Sequence, residues 1–339
     1  SEFASLYKEH PECLTRDATG EPVVMGKWRW GLQPPWCPYG NIYLLDIAQP
    51  YSQAWLRNVF KTLVSWGVRY FKLDFLDAYR SLHGAGKYRK LIGLIKETVG
   101  RDIYVLACNG PITHGMGVVD ATFIASDIGG GGATPESWEG LKKRTIDHAG
   151  RYLYHRRFWI NDSDVLSVWG SVPWRKEVAS MEQARARATI VALGGGPVML
   201  GDRIVDLPED RAGIVKKCLP PYGEAARPLD LFEGVEYPHL WHLKVRADWG
   251  RWDILGVFNL DKEDDTIRVE FKDLELDEGE AYAVYEFWNE EFMGEHRGGI
   301  DVEIKGLSAK VLAVREITGR PMVLSTDMHL VQGAEELRT

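Results

Sequence analysis

Up to about residue 226, stretches with helical periodicity alternate with short apolar runs, and this alternation constrains the fold more than any other feature of the sequence. Trp55, Leu56, Val59, Phe60, Leu63 and Val64 recur at three- and four-residue intervals, the signature of one apolar face on a helix. Pro50 suits the first turn of that helix and Gly67 its C-terminal stop. A largely apolar run, 68–75, follows, broken by Lys72 and Asp74. The cycle repeats with a helix around Tyr88, Leu91, Ile92 and Ile95 that ends at Gly100. Further strands are expected at 103–107, 121–125, 157–160 and 190–193, with helices between them, one opening at Thr134 and Pro135 and one carrying Val178, Met181, Ala184 and Ala188. Strand and helix in regular alternation specify a parallel sheet, because parallel neighbours need a crossover. The fold class expected is α/β, a (β/α)8 barrel of which about five strands are evident here. The remaining strands are expected from a segment ahead of Ser1 or from a second copy in a homo-oligomer.

Beyond Pro228 the character changes. Six β-rich runs, 240–245, 252–258, 266–271, 281–287, 301–304 and 310–314, are separated by acidic or glycine-containing turns with no helical period between them. They specify a small antiparallel β-sandwich. The expected division is a barrel segment over 1–228 and a β domain over 229–339.

Composition narrows the function. The 339 residues are 45% hydrophobic with a net charge of −8, which excludes intrinsic disorder. No apolar run approaches the ~18 residues of a membrane span, and no basic block offers itself to nucleic acid, so neither a membrane nor a nucleic-acid partner is expected. No leader is visible, and the four cysteines lack metal-ligand or disulfide-framework spacing, which points to a cytoplasmic protein. Thirteen tryptophans and 35 glycines, many in expected loops such as Trp28-Arg29-Trp30 to Trp36, suit sugar stacking as well as core filling.

In a parallel α/β sheet, function gathers where the strands end. Here those ends read Lys72-Leu73-Asp74-Phe75, Cys108-Asn109-Gly110-Pro111, Ser126-Asp127-Ile128-Gly129 and Asn161-Asp162-Ser163-Asp164. Aspartate is poor in strand interiors, and a charge beneath a barrel rim is costly unless it is paired or in use. Each Asp could instead cap the following helix. Lys72 and Asp74, two apart, share a strand face, and the cation favours an ionised, nucleophilic carboxylate. Asp127 precedes five small residues, 129–133, where backbone can approach a ligand closely. Two carboxyls about 5–5.5 Å apart are the machinery of a retaining glycosidase. The rival is a Mg²⁺ enzyme ligated by Asp74, Asp127 and Asp162 or Asp164; Lys72 is a poor neighbour for a cation.

The segment Tyr70-Phe71-Lys72-Leu73-Asp74-Phe75 resembles the nucleophile strand of the α-galactosidase clan, in particular the melibiase-like glycoside hydrolase family 36. The segments His10-Pro11-Glu12, Tyr43-Leu44-Leu45-Asp46, Cys108 to Pro111, Phe158 to Asp164 and Gly195 to Asp202 agree with it in order, as does the tail from Thr318 to Gly333. The resemblance implies a retaining α-galactosidase acting on α-galactoside oligosaccharides without metal or other cofactor. It implies Asp74 as nucleophile, Asp127 as acid/base, and Lys72, Cys108 and Asn109 as sugar-binding residues, with Asp162 and Asp164 mainly structural. Two departures stand out: the family's N-terminal β domain and first three barrel strands are not visible, and Phe123 occupies a position where relatives often carry an arginine for the sugar 2-hydroxyl. A related α-glycosidase, a raffinose-synthase-like transglycosidase and a non-catalytic sugar-binding remnant remain the alternatives.

Overall fold

The computed structural model describes residues 4–27, 40–108, 112–125, 135–170 and 178–337, and the chain divides into two units, Ser1–Phe123 and Ile124–Thr339. In the first unit, helix α1 (Ser5–Glu9) precedes an antiparallel pair, β1 (Val24–Lys27) and β2 (Asn41–Tyr43). Helix α2 (Pro50–Ser65) begins on its proline, which suits a first turn whose N–H groups have no helical partner. Strand β3 (Tyr70–Leu73), helix α3 (Leu76–Val99), strand β4 (Tyr104–Ala107) and strand β5 (Ala121–Phe123) follow. The three strands are parallel neighbours in that order, with Lys72 opposite Leu106 and Leu106 opposite Ala121.

The pleat divides the side chains of this sheet between two faces. On one, Phe71, Val105 and Ala107 pack with Ile92, Ile95 and Val99 of α3 and with Leu56 and Phe60 of α2. Fully burying a valine, isoleucine or phenylalanine side chain stabilises by about 1.5–3 kcal/mol, so this layer holds α2 and α3 on the strands. Helix α3 consists of two pieces joined at Gly84, whose φ of 77° is not helical, and it stops at Gly100, at φ 96°. The carboxylate of Asp120 accepts from Lys96 at 2.7 Å and from the Val105 N–H at 2.8 Å, tying the end of α3 to β4.

The second unit opens with α4 (Pro135–Ala149), β6 (Ile160–Asp162), β7 (Val165–Leu166), α5 (Met181–Leu193), β8 (Met199–Leu200) and α6 (Glu209–Lys216). Residues 190–193, expected as a strand, are instead the last turn of α5. The reason is burial on every side: Ala184, Ala186, Ala188, Ile190, Val191 and Leu193 all lie in the core. A helix without a polar face carries no periodic mark to distinguish it from an apolar strand. Ser180 caps α5, its hydroxyl accepting the Gln183 N–H at 3.1 Å. The strand of this region is β8, which pairs in parallel with β7.

The remainder is antiparallel: β9 (Arg227–Pro228), β10 (Leu240–Ala247), β11 (Gly250–Asn259), β12 (Asp265–Glu270), β13 (Tyr282–Glu286), β14 (Glu291–His296), β15 (Gly299–Ile304) and β16 (Ser308–Glu316). Six strands form one sheet in the order β14-β13-β16-β11-β10-β9, and β12 pairs with β15 in a second. Leu255, Val257, Val284, Leu312 and Val314 from the first sheet meet Val269, Ile300, Val302 and Ile304 from the second, which makes the pair a sandwich. Strand β14 was not expected; on the sheet edge, with Phe292 and Glu291 exposed, it needs no apolar alternation. The sandwich packs on the helical part of its own unit. Trp288 Nε1 donates to Thr189 Oγ1 of α5 at 3.0 Å, and a Cβ on Gly256 would come within 2.5 Å of Leu193. Among the described residues no helix is long and apolar enough to cross a membrane.

Candidate active site

The alternation of β3 puts Tyr70, Lys72 and then Asp74 on the face opposite the helices. Through the parallel register, Tyr104, Leu106 and Cys108 from β4 and its end, and Ala121 and Phe123 from β5, share that face. Tyr70 and Tyr104 stack with centroids 5.0 Å apart. Leu106, Cys108, Ala121 and Phe123 are buried, whereas Lys72 and Asp74 are exposed. Among the described residues of this face, Lys72 and Asp74 are the exposed ones, with Tyr70 and Tyr104 half-buried. The Lys72 ammonium lies over the ring of Phe123, 5.9 Å from its centroid. The Cys108 N–H donates to the Leu73 carbonyl at 2.7 Å, so the ends of β3 and β4 are fastened one residue before Asp74 and at Cys108 itself.

Just past the strand the chain turns sharply. Phe75 adopts φ 58°, ψ 26°, and its N–H donates to Asp74 Oδ1 at 2.7 Å. A bulky residue in the left-handed region is a real outlier, and no sequence signal marks it: Asp-Phe-Leu-Asp contains neither glycine nor asparagine at the turn. Sequence reasoning missed Phe75 for that reason.

The other strand-end carboxylates differ in burial. Asp162, the last residue of β6, and Asp164, two residues further on, are both buried. The Asp164 N–H donates to Asp162 Oδ1 at 2.7 Å, with Asp164 itself at φ 67°. The Asp162 carbonyl accepts the Ile124 N–H at 3.0 Å, and neighbouring Ser163 pairs with His148 Nε2 at 2.9 Å. Asp202, two residues beyond β8, accepts three backbone N–H groups, from Val168, Trp169 and Gly170, and so holds the chain leaving β7. Its role is legible only in the structure, because the three donors lie more than thirty residues away in sequence.

Asp127 and Asn109 lie outside the described residues, as do the aromatic stretch 28–36 and the glycine-rich run after Asp127. Of the five expected site residues, the structure brings Lys72, Asp74 and Cys108 to one end of one sheet. Among the described residues no three His, Cys, Asp or Glu side chains gather as a metal ion would require. Cys13, Cys108 and Cys218 are buried and in no disulfide.

These elements define the fold class: part of a (β/α) barrel followed by a C-terminal antiparallel β domain. Comparison with known proteins agrees. The chain is similar in structure to a family 27 β-L-arabinopyranosidase from Geobacillus stearothermophilus, with a TM-score of 0.67 at 17% identity over 86% of this chain and 67% of that one. It is similar to α-galactosidase I from Mortierella vinacea, at 0.58 and 14% over 80% and 72%. It is also similar to an isomalto-dextranase from Arthrobacter globiformis T6 complexed with panose, at 0.62 and 16% over 82% and 51%. No family model matches the sequence. The fold is thus α-galactosidase-like, and these neighbours do not single out family 36.

Proposed function

We propose that this chain carries the nucleophile side of a retaining glycosidase that acts on terminal α-linked galactose, in the manner of family 36. The observation that carries the reading is the pairing of Lys72 and Asp74 on one face of β3, with the carboxylate exposed where the strand ends and fixed by the Phe75 N–H. An Asp74 oxygen attacks the anomeric carbon while Asp127 gives its proton to the departing glycosidic oxygen, so the C–O bond breaks as the glycosyl ester forms. Asp127, now a carboxylate, takes a proton from water, whose oxygen attacks the same carbon and releases Asp74. Lys72 hydrogen-bonds sugar hydroxyls, and Cys108 and Asn109 line the sugar pocket. No metal or organic cofactor takes part in this scheme. We place the division between the barrel segment and the β domain at 228/229, and the protein in the cytoplasm.

Asp74→Ala tests the reading. Hydrolysis of an aryl α-galactoside should fall by at least about a thousandfold, and azide should restore turnover by forming a galactosyl azide of inverted configuration. Full activity of Asp74→Ala would sink the assignment. Asp127→Ala should slow substrates with poor leaving groups far more than activated aryl ones, because only the former need protonation. Equal losses would remove Asp127 from the acid role.

A second reading keeps the mechanism and changes the glycone or the acceptor. It is favoured by Phe123, an apolar ring on the site face beneath the Lys72 ammonium, and by the named activities of the similar structures, which include an arabinopyranosidase and an isomalto-dextranase. A panel of aryl glycosides that includes a β-L-arabinopyranoside, with and without a sugar acceptor, separates these outcomes.

A further inference from the structure

We propose that Phe232 is a docking knob, seated in the cavity between helices α2 and α3 of a second copy of this chain. Phe232 lies in the turn between β9 and β10 and is 95% exposed, although phenylalanine is among the side chains most often buried. The turn is firmly rooted. Asp230 is buried, and its carboxylate accepts the His239 N–H at 2.8 Å and the Leu240 N–H at 3.3 Å. The Asp230 carbonyl accepts the Glu233 N–H at 3.1 Å, and Leu231 packs inward against the core. The backbone therefore holds Phe232 outward. An aromatic ring fixed before binding loses little freedom when it docks, as an interface anchor must. Beside it, Glu233 has no ion-pair partner among the described residues, and Glu236 reaches Lys142 only at 3.8 Å. The knob is thus an apolar ring with an acidic flank.

The cavity has the opposite character. It measures about 660 Å³, and its floor is formed by Ile47 and Leu94, both buried, with Gly86 and Gly93 of α3. Lys87, Arg89 and Lys90 stand around it against one acid, Glu97. Lys87 lies 3.7 Å from Asp46, and Arg89 donates to the carbonyls of His114 and Met116. Lys90 has no ion-pair partner among the described residues. The two glycines are a separate observation. Glycine weakens a helix relative to alanine, yet nothing lies within 4 Å of the Cβ that either would carry, so packing inside this molecule does not call for them. Seven residues apart, they share one face of α3 and leave room there for an incoming ring. An acid-flanked ring and a base-rimmed apolar hollow are complementary in shape and charge. The cavity beside β12 and β15 carries Asp264, Asp265, Glu291 and Glu303, and would repel the same flank.

Sedimentation equilibrium of the intact chain over a concentration series tests the proposal. The weight-average mass should climb above that of the monomer as concentration rises. Phe232→Ala removes a ring that makes almost no contact within its own chain, so folding is not at stake, and it should weaken self-association by at least about thirtyfold. Lys90→Glu and Glu233→Lys should each weaken it by about tenfold or more, because each sets like charges face to face. An equimolar mixture of those two variants should associate again, since every knob then meets a cavity of opposite charge. Copies joined instead through open strand edges would ignore all three substitutions, and that result would overturn the proposal. So would a chain that stays monomeric throughout, or a mixture that fails to recover. Benzoylphenylalanine placed at 232 locates the contact. A cross-link between two chains into the peptide 86–97 supports the proposal; a cross-link to any other segment, or within one chain, overturns it.

Discussion

The ammonium of Lys72 lies 5.9 Å from the centroid of the Phe123 ring, on the face of the first parallel sheet that carries Asp74. Phe123 is buried and Lys72 exposed, so the ring supports from beneath a cation on the solvent side of the sheet. Lys72→Met keeps the apolar stem and removes the charge. If the ammonium bonds sugar hydroxyls, kcat/KM for an aryl α-galactoside should fall by about ten- to a hundredfold, the value of a charge-assisted hydrogen bond. Phe123→Leu should cost less, because it removes only the support beneath the ammonium. A Phe123→Leu loss as large as that of Lys72→Met would mean that Phe123 itself meets the sugar.

Glu286 is completely buried, and its carboxylate accepts three backbone N–H groups: Trp288 at 3.0 Å, Asn289 at 2.7 Å and Val311 at 3.2 Å. It therefore binds the turn after β13 to strand β16. Glu286→Ala leaves the buried Trp288 and Val311 donors without an acceptor, while the N–H of exposed Asn289 can turn to water, which should cost about 2–4 kcal/mol. Thermal unfolding should move down by roughly 5–10 °C. Glu286→Gln, with one acceptor oxygen left, should fall between the two. An unchanged midpoint in Glu286→Ala would show that water replaces the carboxylate.

How much of this was legible in the sequence depended on whether an element faces both core and solvent. Helix α2 was, because Trp55, Phe60 and Leu63 recur with the helical period against a polar face, as was β3, a run of apolar residues with a charge at its end. The last turn of helix α5, 190–193, was not, because burial on all sides erased its period there, and β14 was not, because an exposed edge strand needs none. At the candidate site, the chemistry of Lys72 and Asp74 could be read from their spacing of two. The turn at Phe75 could not, since its backbone is imposed by the elements around it rather than by its own preference. The bonds from Asp202 to residues 168–170 were hidden for another reason: they join segments that only the folded chain brings together.

The glycines after α5 offer a sharp test of close approach. A Cβ on Gly196 would lie 1.7 Å from the carbonyl oxygen of Asn161, which no side-chain rotation relieves. Gly196→Ala must displace the backbone at the foot of the Asn161–Asp164 turn, and overpacking of this kind costs about 1–3 kcal/mol or more. The expected result is a lower yield of soluble protein and an earlier urea midpoint. Gly213→Ala is the control. It sits in α6 with nothing within 4 Å of the new methyl and should stabilise by a few tenths to about 1 kcal/mol through helix propensity. Equal effects at the two positions would show that the contact at Gly196 relaxes freely.

His148 should make stability pH-dependent in a defined window. The ring is buried between α4 and Ser163, and that burial, the largest influence on it, pushes its pKa from the ordinary 6.5 down to about 4. The Arg144 carbonyl, 2.7 Å from Nδ1, and Asp147 oppose the shift, while Arg151 and Arg144 add to it. Because a carbonyl only accepts, Nδ1 carries the proton, and Nε2 accepts from the Ser163 hydroxyl. As pH falls through 6.5 the unfolded chain binds a proton at this residue, whereas the folded chain does not until pH approaches 4. Between those values the unfolded state holds more protons, so stability declines as pH drops, by about 3 kcal/mol in all. Above the window His148 contributes no pH dependence, and below it the loss is complete. His148→Gln can keep both hydrogen bonds, its amide N–H donating to Arg144 and its oxygen accepting from Ser163, but it does not titrate. Urea unfolding from pH 7 to pH 4 should therefore show a shallower decline in His148→Gln than in the unsubstituted chain. Identical slopes would mean that the acid sensitivity in this range comes from groups other than His148.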